Sequence, residues 1–161
     1  MTVSCIDVAE EILSYLGSQG KRIAPYELSK YLYFVQAYSY ARHGRPIFED
    51  MSFVVREKGP VSDETEDTYT GFEGAGNINR LIGVGQPILS NDDISLIHKV
   101  TDLCNKKNFE QLSQISHDGK LWKKYWDDGK GIGKIIPYEE IEKFFCGDEG
   151  KKILSDCLGD I

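Results

Sequence analysis

The chain of 161 residues has no long hydrophobic run and no basic, apolar leader at its beginning. A helix that crosses a bilayer needs about 20 mostly apolar residues, and no stretch of this sequence approaches that length. The first residues also lack the charged flank and the apolar segment of a secretory signal. We therefore expect a cytoplasmic protein that makes no contact with a membrane.

Metal-binding and disulfide patterns are absent as well. The four cysteines, at Cys5, Cys104, Cys146 and Cys157, form no C-x-x-C pair, and no histidine stands at a zinc-finger interval from them. Each cysteine lies in or beside an apolar helical stretch. This placement favours buried free thiols, and we expect no metal ion.

Phosphate-binding and catalytic motifs are incomplete. Gly74-Ala75-Gly76 is followed by Asn79 where a dinucleotide fingerprint needs a third glycine, and in the stretch 131–135 isoleucine takes the place of the serine or threonine of a phosphate loop. No G-x-S-x-G or Ser/His/Asp order occurs. We expect neither a cofactor nor an enzyme, with an active site assembled from distant residues as the alternative.

The charge balance argues against general attraction to nucleic acid. Acidic residues outnumber basic ones by 26 to 19, and the formal net charge is −7. Positive charge nevertheless clusters between residues 120 and 134, together with Trp122 and Trp126. A nucleic-acid-binding regulator whose tryptophans stack on bases therefore stays an alternative.

The apolar periodicity predicts a mainly α fold, a single compact domain over residues 1–161 with about six to seven helices. The first helix is predicted from Ser4 to Gly17 and the second from Pro25 to about Gly44. The second is apolar nearly all round, which is typical of a helix buried in the middle of its domain. Its tyrosines form either a core ridge or an exposed aromatic strip for a partner.

A small β-hairpin is predicted between the second and third helices. Ile47-Phe48 would pair with Phe53-Val54-Val55 across Glu49-Asp50, and Gly59-Pro60 would end it. Residues 71–87 are predicted as a surface loop and residues 120–136 as irregular. Further helices are predicted after Ser62, from Ser90 or Asn91 to Asn105, from Phe109 to His117, after Pro137, and from Glu149 to Leu158.

Three segments carry a family resemblance. They are Leu28-Ser29-Lys30-Tyr31-Leu32-Tyr33-Phe34-Val35-Gln36-Ala37, then Gly44-Arg45-Pro46-Ile47-Phe48-Glu49-Asp50, then Gly59-Pro60-Val61. Together they resemble the Panacea domain family, the SocA-like antitoxins that include phage-associated proteins. Weaker similarity extends to residues 8–16, to the stretch 112–122 with its Ser-His pair and later tryptophan, and to residues 136–145.

The resemblance implies an antitoxin that binds and neutralises a cognate toxin protein in a toxin–antitoxin system. An adaptor for a Clp-type protease, or a phage–host interaction protein, is the alternative. The partner-binding residues that it suggests are Tyr33, Lys58, Gly59, Pro60, Val61, His117 and Trp122. Each of these could instead fix a turn or fill the core. The chain departs from the family pattern at Lys58, where tyrosine or histidine is common, and at Arg56, where an aromatic residue is common.

Overall fold

The computed structural model describes residues 3–83 and 89–161. Within them lie eight α-helices and three short strands, which confirms the mainly helical fold with one helix more than predicted. In chain order they are α1 Cys5–Ser18, α2 Pro25–His43, β1 Phe53–Arg56, β2 Gly59–Val61, α3 Asp63–Glu73, α4 Asn91–Asn105, α5 Phe109–Ser116, α6 Lys120–Trp126, β3 Ile135–Ile136, α7 Tyr138–Cys146 and α8 Asp148–Ile153. A 3₁₀ turn, Asp127–Gly129, follows α6, and a π turn, Leu154–Leu158, follows α8.

Helix α2 is the centre of the fold. Fourteen of its nineteen residues are buried, and it packs against α1, α3, α4 and α7. Pro25 opens the helix, and Gly44 ends it in the left-handed conformation with φ of 69°. The prediction of a central buried helix is confirmed. Its tyrosines are core residues with one exception, since Tyr26 is 50% exposed.

The three strands form an antiparallel sheet in the order β2-β1-β3. Val54 lies opposite both Val61 and Ile135, so these three side chains share one face. The alternate residues Phe53 and Val55 are buried against the core. The sheet therefore covers one side of the helical core and turns its other face outward.

The predicted hairpin exists between α2 and α3, and its strand Phe53-Val54-Val55 is confirmed as part of β1, but the predicted pairing with Ile47-Phe48 is wrong. Ile47 and Phe48 form no strand, because their backbone groups are bound by the side chain of Gln36 instead of by a neighbouring strand. The second strand is Gly59–Val61, where the sequence predicts a break. The turn between the strands is accordingly at Glu57 and Lys58.

Helix α6 and strand β3 lie in the segment that the sequence predicts to be irregular. Gly119 precedes α6 with φ of 91° and provides no side-chain cap, and the first residue of the helix is a lysine, which opposes the helix dipole. The usual start signals are thus missing. The helix is held by packing instead, since Leu121 and Trp122 are buried.

Two smaller expectations change. Helix α3 runs through Glu73, into the predicted loop 71–87, of which residues 84–87 lie outside the described part of the chain. Cys5 and Cys104 are buried as predicted, whereas Cys157 is half-buried and Cys146 is exposed at the end of α7. No helix among the described residues is long and apolar enough to cross a bilayer.

Candidate functional site

Two of the three motif segments meet where α2 passes β2. Lys30 is completely buried, and its Nζ donates a hydrogen bond to the carbonyl oxygen of Pro60 at 2.9 Å. The neighbouring Ser29 hydroxyl accepts a hydrogen bond from the backbone N–H of Ser62 at 3.2 Å. Adjacent polar residues of an otherwise apolar helix therefore hold β2 and the residue that follows it.

Two separate features of the structure require a glycine at position 59, its backbone conformation and the close packing around it. The φ of Gly59 is +116°, a conformation that residues with a side chain rarely adopt. A Cβ atom at Gly59 would also lie 2.3 Å from Ser116 Oγ and 3.2 Å from Lys30 Nζ. Ser113 donates a hydrogen bond to the carbonyl oxygen of Lys58 at 2.6 Å, so the β1–β2 turn is fastened directly onto α5.

A cleft of about 440 Å³ opens beside this turn. One wall is aromatic: the rings of Tyr26 and Phe109 meet edge to face, with centroids 4.8 Å apart. Val61 adds an aliphatic surface, and the remainder is polar. The lining residues are Tyr26, Lys30, Arg56, Glu57, Lys58, Val61, Asp63, Glu66 and Phe109.

Two ion pairs lie along the rim of the cleft. Arg56 donates two hydrogen bonds to the carboxylate of Asp63, one of them from Nε at 3.3 Å. Lys58 lies 3.9 Å from Glu110, and both side chains are largely exposed, so this contact contributes little. The rim charges are thus largely compensated within the chain.

The floor of the cleft carries two charged groups that are incompletely paired. Burial lowers the pKa of Lys30 to about 8, and the nearby Glu66 carboxylate opposes this shift. Burial raises the pKa of Glu66, opposed by the Ser29 hydroxyl and the Lys30 ammonium. The Oε1 atom of Glu66 is buried and accepts no hydrogen bond from any described residue. Buried polar atoms are usually satisfied, so this one calls for an explanation.

An aromatic stack supports the site from behind. The ring of His117 stacks on Trp122 at 4.9 Å, and Trp122 stacks on Trp126 at 5.7 Å. Burial lowers the pKa of His117, and the positive charges of Lys30 and Lys58 lower it further. Trp122 is only 6% exposed and has a ring on each side. In this arrangement it joins α6 to the end of α5 and is not free to stack on a nucleic-acid base.

The face of the sheet that points away from the core is apolar. Val54 lies between Val61 and Ile135, and Ile135 is 58% exposed. Ile132, just before β3, is 46% exposed. An antiparallel sheet face in water is usually polar, so this row is unusual. Arg56 shares the face and also lines the cleft. The cleft and the apolar row therefore form one continuous surface.

Two of the seven residues suggested by the sequence, Lys58 and Val61, line this cleft. Lys58 is exposed at the β1–β2 turn, Gly59, Pro60 and Val61 are buried in β2, and His117 and Trp122 are not among the lining residues. Tyr33 does not join them. It is 4% exposed, is absent from the cleft lining and packs edge to face on Phe53 and Phe145 in the core.

Sequence reasoning missed seven of the nine lining residues of the cleft, all except Lys58 and Val61. Tyr26 belongs to the tyrosines for which the sequence leaves an exposed aromatic strip open. Glu66 and Phe109 gave no signal, because they come from separate helices that only the fold brings together. Lys30 did give one. It stands inside a helix that is apolar nearly all round, and a charged residue in such a position is buried only when the structure provides a partner.

The comparison with known families decides the assignment. The model of the family described as antitoxin SocA-like, Panacea domain, matches residues 28–123, more than half of the chain. The chain belongs to this Panacea family. No curated protein and no solved structure matches it. The Panacea match begins in α2 and ends in α6, so it includes Lys30, the β1–β2 turn, Glu66 and Phe109. The matched region thus includes every lining residue of the cleft except Tyr26, which precedes it.

Proposed function

We propose that this Panacea domain is an antitoxin, which binds a cognate toxin protein and neutralises it. The contact surface that we assign to the toxin consists of the cleft, the adjoining outer sheet face with Val54 and Ile135, and the exposed Ile132 just before β3. One observation carries the assignment: residues of the family-matched region, with Lys30 and Val61 of the motif segments among them, line a cleft that adjoins an exposed apolar sheet face. The family's antitoxin-like character supports a toxin as the partner.

The composition of this surface suits protein binding. Stable interfaces bury about 1,600 Å² in total and depend on a few aromatic or arginine side chains near their centre. Tyr26, Phe109 and Arg56 are side chains of these types, and they lie together. The two exposed isoleucines would extend the apolar contact along the sheet. The role that we propose is one of binding and involves no catalysis.

Co-expression with the product of the neighbouring reading frame tests this proposal. We expect that product to stop growth when it is expressed alone, and this chain to restore growth and to co-elute with it. Ile135→Lys and Tyr26→Ala should each abolish or strongly reduce rescue, because both residues are exposed on the proposed surface. Leu81→Lys is the matched control, since Leu81 is 45% exposed and lies in neither part of that surface.

Two results would contradict the proposal. If the neighbouring product is harmless alone, or forms no complex with this chain, the antitoxin function is wrong. If rescue survives Ile135→Lys and Tyr26→Ala but is lost with Leu81→Lys, the toxin binds elsewhere. Circular dichroism of each variant checks that the fold is retained.

A further inference from the structure

The chemistry of the cleft indicates which group of the partner enters it. Resting on the proposed function, we propose that the cleft receives one tyrosine side chain of the toxin, with the phenol oxygen placed between Lys30 and Glu66. The argument uses the shape of the walls, the balance of charge, and the hydrogen-bonding capacity of the floor.

The walls fit a flat aromatic ring. Tyr26 and Phe109 already stand edge to face, and Val61 forms the adjoining aliphatic side. Aromatic rings favour offset or edge-to-face contacts with one another, and such contacts contribute beyond the area that they bury. A volume of about 440 Å³ has room for one large side chain, and Tyr26 is exposed enough to close over it.

The charges disfavour a cationic or an anionic occupant. A lysine or arginine of the partner would enter beside Lys30, Arg56 and Lys58. An aspartate or glutamate would meet an equal number of carboxylates in the same cleft. Because the basic and acidic residues of the cleft balance, no net charge offsets the hydration that either ion would lose on entry. A neutral side chain avoids this cost.

The floor selects among the neutral aromatic residues. The ammonium of Lys30 has three donors and makes one hydrogen bond to a described residue, the carbonyl of Pro60. Glu66 Oε1 accepts none from the described residues. Both groups are buried in the free chain. A phenol hydroxyl both accepts and donates, so once it displaces the side chains that cover them it can take a hydrogen bond from Lys30 and give one to Glu66. Phenylalanine can do neither, and the indole of tryptophan can only donate.

Titration of the ¹⁵N-labelled full chain with single amino-acid amides tests this inference without any toxin. The probes are the N-acetyl amides of tyrosine, phenylalanine, arginine and glutamate. We expect the tyrosine probe to shift the amide signals of Lys58, Val61 and Phe109, with a dissociation constant on the order of 1 mM because the ligand is small. The phenylalanine probe should bind about tenfold more weakly, and the charged probes should leave these signals unchanged.

A pair of substitutions on α3 links the effect to the floor. Glu66→Met removes the acceptor and should weaken the tyrosine probe about tenfold, the size expected for one hydrogen bond to a charged group. Glu64→Met is the control, because Glu64 is exposed on the same helix and does not line the cleft. It should bind the tyrosine probe as the native chain does.

The inference is overturned if the arginine or glutamate probe binds best, if tyrosine and phenylalanine bind equally, or if no probe shifts the cleft signals. It is also overturned if Glu66→Met binds the tyrosine probe as well as Glu64→Met does. Growth rescue decides the antitoxin function separately. A chain that rescues growth but ignores the tyrosine probe is an antitoxin with a different cleft occupant.

Discussion

The two halves of α2 hold the chain that follows by similar means, but only one half is fully hydrogen-bonded. In the second half, the Gln36 amide donates to the Phe48 carbonyl at 2.8 Å and accepts from the N–H groups of Ile47 and Phe48. Ser39 donates to the Arg45 carbonyl at 2.7 Å. In the first half, Lys30 makes a single hydrogen bond to a described residue, and its neighbour Glu66 has a buried oxygen with none.

This difference separates two roles within one motif. The Gln36 half is satisfied by the chain itself and lines none of the cleft, so its residues have a structural explanation. The Lys30 half costs stability, because buried charge without full pairing is unfavourable. It also lies beside the cleft. Local rules of folding are broken most often at functional sites, which is why we assign the binding role to this half.

The largest loss of stability should come from truncating a core side chain of α2 that lies between its two halves. Leu32 is completely buried in α2 between Lys30 and Gln36. We expect Leu32→Ala to lower the free energy of unfolding by about 2–5 kcal/mol, measured by urea denaturation, because it leaves a cavity in the core. Leu81→Ala, at an exposed position, should cost less than about 0.5 kcal/mol. A loss under about 1 kcal/mol for Leu32→Ala would show that α2 is not the buried central helix, and the comparison of its two halves would then have no basis.

The structural half is tested by Gln36→Leu. The substitution keeps a side chain of similar size but leaves the Ile47 N–H and the Phe48 carbonyl buried without partners. Each such group costs about 1–3 kcal/mol, so we expect a loss of at least about 2 kcal/mol in the same assay. The exposed Gln114→Leu is the control and should change stability by about 0.5 kcal/mol or less. Equal effects at both glutamines would show that Gln36 does not hold the segment.

The two motif glycines test the two halves separately, because Gly44 ends the second half of α2 and Gly59 lies in the strand that the first half holds. Gly44 has φ of +69°, and no atom lies within 4 Å of the place that a Cβ would take, whereas a Cβ at Gly59 would collide with Ser116 Oγ. We expect Gly44→Ala to cost about 1 kcal/mol from backbone strain alone. Gly59→Ala should cost about 2–3 kcal/mol by thermal or urea unfolding, because steric displacement is added. A reversed order would show that the Gly59 turn is less tightly packed than the structure has it.

The helices of this fold were largely predictable because their signals are local. The Pro25 start, the Gly44 end and the capping box at Asn108 and Gln111 all appear in the structure as the sequence indicates. Strand β1 was predicted as well, but its partner was not, because a buried amide side chain binds the segment that the sequence pairs with it. Gln36 binds Ile47 and Phe48 from eleven and twelve residues away, and no propensity of those two residues reveals it.

The candidate site was predictable in part for the same reason. The Lys58 turn with Gly59 and Pro60 was reached through the family resemblance. The facing residues Tyr26 and Phe109 come from the first turns of α2 and α5, which are far apart in the sequence and meet only in the fold. Tyr33 shares the motif with Lys30 but points to the opposite, core-facing side, a distinction that sequence spacing alone did not make.

The smallest expected effect addresses the binding half. Burial raises the pKa of Glu66 in the folded chain, so its charged form opposes folding: stability is highest below the unfolded pKa and falls as the pH rises through the folded value. Glu66→Gln resembles the protonated form. At about pH 7 its free energy of unfolding, measured with urea, should therefore exceed that of the native chain by less than about 1 kcal/mol. Near about pH 4 the two chains should be equally stable. Exposed Glu64→Gln should show no such pH dependence. If Glu66→Gln is less stable than the native chain at neutral pH, the Glu66 carboxylate is well paired within the chain. The Lys30 half of α2 is then as well satisfied as the Gln36 half, and the reason for assigning binding to it is lost.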